Sequence, residues 1–206
     1  MELRLVDEVI DLRELCSRVE GAEEDVTLII NSPGGSVMEG LQMVNAIKNS
    51  KHKVTARVRV MAASIAAVIA LACDSLEIDK NSIFMLHDCW TVTAGNRKQL
   101  QQDIECMEAI DTIMHNIVEE HCKDKHLIQK MDEGNVYMTG EEAVELFDHA
   151  VLSEPADRQN MAAAGFMADM IRENRKLKEE LEAYRKVKEY TVSKELKELL
   201  AQAAEV

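Results

Sequence analysis

The sequence predicts an α/β layered fold with parallel strand pairing and a helical C-terminal extension. Three observations predict it. Val26-Thr27-Leu28-Ile29-Ile30 is a short β-forming run, continuous enough to be buried on both sides. Val54, Ala56, Val58 and Val60 alternate with Thr55, Arg57 and Arg59, a period of two that reads as a strand. Between and after these runs, apolar residues repeat every three or four positions, so β and α segments alternate along the chain.

Residues 1–25 read as a short helical segment, with Val9, Ile10, Leu12, Leu15, Cys16 and Val19 on one face and Gly21 as the breaker. Residues 26–157 form the main domain. After the first strand, Pro33-Gly34-Gly35 reads as a turn, and Val37, Leu41, Val44 and Ile47 then repeat at helical spacing. Ser64–Cys73 is helical; Ser75–Ile78 and Ile83–Leu86 are strands. From Arg97 to Val118, steps of three or four residues put Leu100, Ile104, Met107, Ile110, Met114 and Ile117 on one helical face. Thr139-Gly140-Glu141-Glu142 is a capping-box signature, in which Thr139 caps a helix and Glu142 reaches back. Ala150–Leu152 is a closing strand before Pro155. Residues 158–206 form a helical tail without proline. Met170, Asn174, Leu177, Leu181 and Tyr184 follow a four-three spacing over about two heptads, open to a coiled-coil or a packed amphipathic helix.

Composition narrows the function classes. The chain of 206 residues is 47% hydrophobic but 3% aromatic, so its core is aliphatic. A formal net charge of −14, with no basic patch, argues against nucleic-acid partners. Five scattered cysteines without a C-x-x-C pair fit reduced thiols in the cytoplasm. The first eight residues carry too much charge for a signal peptide. The longest apolar run, Met61–Cys73, is too short to span a bilayer, so no membrane partner is expected.

Chemistry concentrates in three places. Ser64 sits between a strand and a helix, where unpaired N–H groups and the helix dipole favour negative charge. A serine hydroxyl needs a base and a preformed oxyanion site to act as a nucleophile. His87, closing the strand Ile83–Leu86, supplies an imidazole. The Ile65 N–H and one from Gly34 or Gly35 supply donors, glycine letting a peptide pass close to the backbone. Each residue also has a plain structural alternative: Ser64 as a helix N-cap, the glycine pair as an ordinary turn, His87 as a partly buried histidine on a backbone partner. The remaining histidines share no ligand spacing, His115 and His121 not being an i, i+4 pair. No metal or cofactor is expected.

The segments Leu28–Ile47, Val58–Ile78, Ser82–Asn96 and Tyr137–Val151, taken in that order, resemble the ClpP family of serine peptidases. The stretch His87-Asp88-Cys89-Trp90-Thr91 is nearest the ClpP-related head-maturation proteases of phages and prophages. The resemblance implies a ClpP/crotonase-type ββα superhelix, with Ser64 as nucleophile, His87 as general base and the N–H groups of Gly35 and Ile65 as oxyanion hole. It also implies substrate pairing along Gly34, Ser36 and Val37 on one side and Thr91 and Val92 on the other. The Arg97–Val118 helix corresponds to the handle through which rings of such subunits meet.

Three departures accompany the resemblance. Where the family places its triad acid, this chain has Asn135, with Asp132 three residues earlier as the alternative. The family's opening strand reads as shortened or missing ahead of Val26. The tail extends past the usual domain end. The reading is a serine endopeptidase, a ring-forming homo-oligomer processing phage capsid or scaffold protein without ATP. The alternatives are a housekeeping subunit fed by an unfoldase, an inactive ClpP-like scaffold, or a crotonase-type acyl-CoA enzyme.

Overall fold

A computed structural model describes residues 1–153, which all belong to one compact unit. The tail at 158–206, with its heptad-like spacing, lies outside the described residues. The chain forms β1 (Glu2–Val9), α1 (Arg13–Glu20), β2 (Val26–Gly35), α2 (Val37–Asn49), β3 (Val54–Ala63), α3 (Ile65–Leu71) and β4 (Ser75–Ile78). It continues through β5 (Ile83–Leu86), α4 (Arg97–His121), α5 (Leu127–Asp132), β6 (Val136–Thr139), α6 (Gly140–Leu146) and β7 (Ala150–Leu152).

The α/β class follows from the sheet. Its main path runs β1-β2-β3-β4-β7, every pair parallel, and β6 alone is antiparallel, against β5. The buried face is aliphatic. Leu28, Ile30, Val54, Ala56 and Val58 have no or almost no exposure, as the period-two pattern requires. The alternate residues of β3 face a polar ladder on β4: Thr55 pairs Ser75 at 3.0 Å, and Arg57 pairs Glu77 at 2.5 Å.

β3 organises the rest because, at ten residues, it is longer than β4 and β5, which share its other edge. On one edge its first half pairs β4, from Thr55↔Ser75 to Val58↔Ile78. Its second half pairs β5, from Met61↔Ile83 to Ala63↔Met85. The turn at Asp79–Ser82 therefore swaps one neighbour for another and frees β5 to carry its end past the end of β3.

Two expectations are corrected. Residues 1–25 are not wholly helical, and the opening strand is present as β1. Leu3, Leu5 and Val9 are buried while Glu2, Arg4 and Val6 are not, and the backbone of β1 pairs that of β2. The helical spacing from Val9 is realised only from Arg13 onward. Nor does Pro33-Gly34-Gly35 turn the chain: it prolongs β2. A register irregularity after Ile30 accommodates Pro33, which has no N–H to give a ladder.

α3 is buried at all seven positions, which explains the apolar run in the sequence. Burial of Ile65, Val68, Ile69 and Leu71 contributes a gross ~6–12 kcal/mol before conformational entropy is subtracted. α2 lies close on it because Gly40 has no side chain: a Cβ there would meet Ile65 Cγ1 at 2.0 Å. At two other helix starts side chains cap, the first as expected and the second not foreseen. Thr139 and Glu142 make the reciprocal box of α6, and Asn96 with Gln99 makes one on α4. The face of α4 is graded: Met114 and Ile117 are buried, whereas Leu100 and Ile104 are 37% and 49% exposed. No helix among the described residues is long and apolar enough to cross a membrane.

Candidate active site

The β3–α3 junction holds Ser64 in an unusual backbone conformation, φ 57° and ψ −132°. For a residue with a side chain this costs on the order of 1–3 kcal/mol and persists only where neighbours enforce it. The neighbours are visible. The Ser64 N–H donates to the Met85 carbonyl at 2.8 Å, and its own carbonyl accepts from Ala67 and Val68 as the first turn of α3. The hydroxyl makes no capping bond, unlike those of Ser36 and Thr139. It lies instead 2.8 Å from His87 Nε2. The helix-cap alternative for Ser64 is thereby replaced by a serine–histidine contact.

Register explains the contact. Ala63 pairs Met85, so Ser64 and His87 both leave the ends of adjacent parallel strands on the same side of the sheet. Sequence places them 23 residues apart, and the shared strand end brings them together.

The glycine segment of β2 closes on the same point. Gly34 has φ +98°, and a Cβ on it would stand 2.7 Å from both the Ala63 carbonyl oxygen and Ser64 Cβ. Only glycine fits there. Ser36 donates its N–H to the Val9 carbonyl at 2.8 Å. Gly35 lies beyond the last β2–β3 pair, Ser32↔Ala62, and lines the cleft beside Ser64. Ile65 begins α3, and its N–H has no acceptor within the helix.

Gly34, Gly35, Ser64, His87 and Asn135 line a cleft of about 710 Å³, and Ile65 follows Ser64 without being part of its lining. The cleft also includes Glu8, Met85 and Trp90, which sequence reasoning did not select. Trp90, from the His87–Thr91 stretch, is 74% exposed. Glu8 reaches the cleft because β1 bulges at Asp7, whose φ is 66°. That bulge leaves no period or spacing signal in the sequence.

Several expected residues are not in the cleft. Ser36 is the N-cap of α2, its hydroxyl accepting from Glu39 N at 3.4 Å, and Val37 begins that helix. Thr91 and Val92 are exposed in an irregular segment between His87 and Asn96, not on a strand edge. Their β-forming composition finds no partner strand among the described residues. Asp132 ends α5 and groups with Asp88 and His115, with His115 Nε2 at 2.8 Å from Asp88 Oδ1. It is not among the residues that line the cleft. Burial, with Asp132 close by, raises the Asp88 carboxyl above the ordinary range.

Asn135 does stand in the cleft, delivered by the turn at Gly134 (φ +143°). Its amide Nδ2 donates to the Tyr137 hydroxyl at 3.3 Å, leaving Oδ1 as an acceptor. Among the described residues no carboxylate hydrogen-bonds His87. Cys89, two residues on, is no competing nucleophile: burial, with Asp111 beside it, pushes its thiol up to about 12.

The Clp protease family model matches residues 7–148, well over half of the chain. An ATP-dependent Clp protease proteolytic subunit of Ligilactobacillus salivarius (strain UCC118) is 30% identical over 129 residues, covering 61% of this chain. The chain spans 66% of that curated relative's length.

Proposed function

The chain belongs to the Clp protease family, and on that premise we propose that it is a serine endopeptidase with Ser64 as nucleophile and His87 as general base. The observation that carries the reading is the 2.8 Å approach of His87 Nε2 to a serine hydroxyl that caps nothing. As the Ser64 oxygen attacks a peptide carbonyl, its proton passes to His87 Nε2. The imidazolium returns that proton to the leaving amine, and water then releases the acyl group by the same steps. The developing oxyanion is held by the N–H groups of Gly35 and Ile65, and the strained Ser64 backbone keeps the oxygen aimed before substrate arrives. Asn135 Oδ1 accepts from His87 Nδ1–H and orients the ring, as the neutral amide does in Cys-His-Asn enzymes.

The substrate is an extended polypeptide, and the working form is a homo-oligomeric ring. Leu100, Ile104 and Ile113 along α4, each 37–49% exposed, support an assembly contact on that helix. The finer reading is processing of phage capsid or scaffold protein without ATP, supported by the His87-Asp88-Cys89-Trp90-Thr91 stretch. A housekeeping subunit fed by an unfoldase is the second reading, favoured by the printed name of the curated relative.

A fluorophosphonate probe tests the premise. The full-length oligomer is expected to label at one serine, and labelling is expected to vanish in Ser64→Ala while assembly persists. Labelling undiminished in Ser64→Ala, or no labelling of assembled wild type, refutes it. Degradation of a folded substrate only with an ATP-driven unfoldase would select the second reading.

A further inference from the structure

Away from the cleft, the end of α4 meets the end of α6 through a short antiparallel bridge. Cys122 pairs Phe147, Lys123 N–H donates to the Leu146 carbonyl at 2.9 Å, and Asp148 N–H donates to the His121 carbonyl at 2.9 Å. These backbone bonds bring His121, Asp148 and His149 together although 27 residues separate the first two. That separation is why a search for local ligand spacing missed them.

The three side chains offer two imidazole nitrogens and one carboxylate oxygen, all within 4.8 Å of one another. His121 Nδ1 is 2.9 Å and His149 Nδ1 3.7 Å from Asp148 Oδ1. Donors about 2.0–2.2 Å from a tetrahedral centre stand roughly 3.3–3.6 Å apart, so these separations bracket the required edge. The His121 and His149 rings are stacked, centroids 3.8 Å apart.

His149 provides the second observation. Its side chain is only 10% exposed, and both ring nitrogens are buried with no partner in hydrogen-bond geometry, the Leu71 carbonyl lying near but outside that geometry. No other buried side-chain polar atom among the described residues is so placed. Leaving such atoms unpaired costs roughly 1–3 kcal/mol, and a stacked aromatic role would not require nitrogen there. Competing charges are already engaged: Lys48 holds Glu120 at 2.7 Å, and Lys123 Nζ rests on the Val144 and Glu145 carbonyls.

We propose that His121, Asp148 and His149 form a site for a divalent transition-metal ion of the zinc class, with solvent completing the coordination on the side where Asp148 is 58% exposed. Two imidazoles with one carboxylate suit zinc and disfavour the oxygen-seeking magnesium and calcium ions. The ion would tie the C-terminal end of α4 to the junction of α6 and β7, a structural role independent of Ser64.

The test uses the full-length protein, stripped with chelator and dialysed against zinc chloride. One equivalent is expected to bind and to raise the melting temperature, and cobalt(II) is expected to give visible d–d bands of a four-coordinate nitrogen–oxygen site. His149→Gln and Asp148→Asn are each expected to weaken zinc binding at least about 10-fold. His115→Gln, which disrupts the separate Asp88–His115–Asp132 group, is expected to leave it unchanged. Asp148 is largely exposed, so its variant reads the site even if His149→Gln misfolds. Absence of zinc uptake by wild type, equal uptake by Asp148→Asn, or loss in His115→Gln instead would overturn the proposal.

Discussion

Replacing Asn135 by Asp probes how the proposed base is held. Asn135 lies in the cleft with Ser64 and His87, and its Nδ2 is engaged by the Tyr137 hydroxyl at 3.3 Å. The amide oxygen is then the acceptor offered to an imidazole that becomes positive in the transition state. A neutral hydrogen bond contributes about 0.5–1.5 kcal/mol net, and one between charged partners about 1.5–3. The difference, about 1–1.5 kcal/mol, corresponds to a rise in kcat of roughly tenfold. This is far smaller than the ~10⁴ lost when Asp becomes Asn in a Ser-His-Asp triad. There the wrong tautomer is stabilised, whereas the proposal here keeps the amide oxygen as acceptor because Nδ2 is engaged by Tyr137. The assay is steady-state cleavage of a fluorogenic peptide, normalised to active sites counted with a fluorophosphonate. KM is expected to stay constant because the gain arises only in the transition state. An unchanged or lower kcat in a folded variant would refute Asn135 as the orienting residue.

Two further perturbations test the geometry. Gly34→Ala forces a Cβ within 2.7 Å of backbone at a φ of +98°. It is expected to cost on the order of 1–3 kcal/mol, lowering the melting temperature by about 2–4 °C per kcal/mol. Cleavage should fall by up to about 10²-fold as Ser64 is displaced; full activity would show that the two backbones are not in contact. In chelator-treated protein, His149 has a folded pKa of about 4, below the ordinary ~6.5 of an unfolded imidazole. The unfolded chain therefore binds more protons between these values. The stabilisation is complete above about pH 6.5 and is lost as pH falls toward 4. Its size is at most about 3 kcal/mol, reduced to about 1–2 by solvent entering beside the exposed Asp148. Urea unfolding between pH 7 and 5 should show this slope, and a slope unchanged in His149→Gln would refute the assignment.

What the sequence determined by itself was whatever neighbouring residues decide among themselves. The apolar period of β3, the apolar run of α3, the bounds of β4 and β5 and the Thr139 box are each written in residues a few positions apart. They were legible for that reason. β1 escaped notice because Asp7 interrupts its alternation and the strand exists only through its pairing with β2. Pro33-Gly34-Gly35 carries turn residues, yet it stays extended because β1 and Ser64 occupy its flanks. Tertiary structure alone decided between Ser64 as a helix cap and Ser64 as a partner of His87, through the Ala63↔Met85 register. It also separated Asn135 from Asp132, and it gathered His121, Asp148 and His149 from two helix ends. The physical reason is common to all three. A side chain's chemistry depends on which groups share its space, and parallel strands and helix ends set that sharing between residues far apart in the chain.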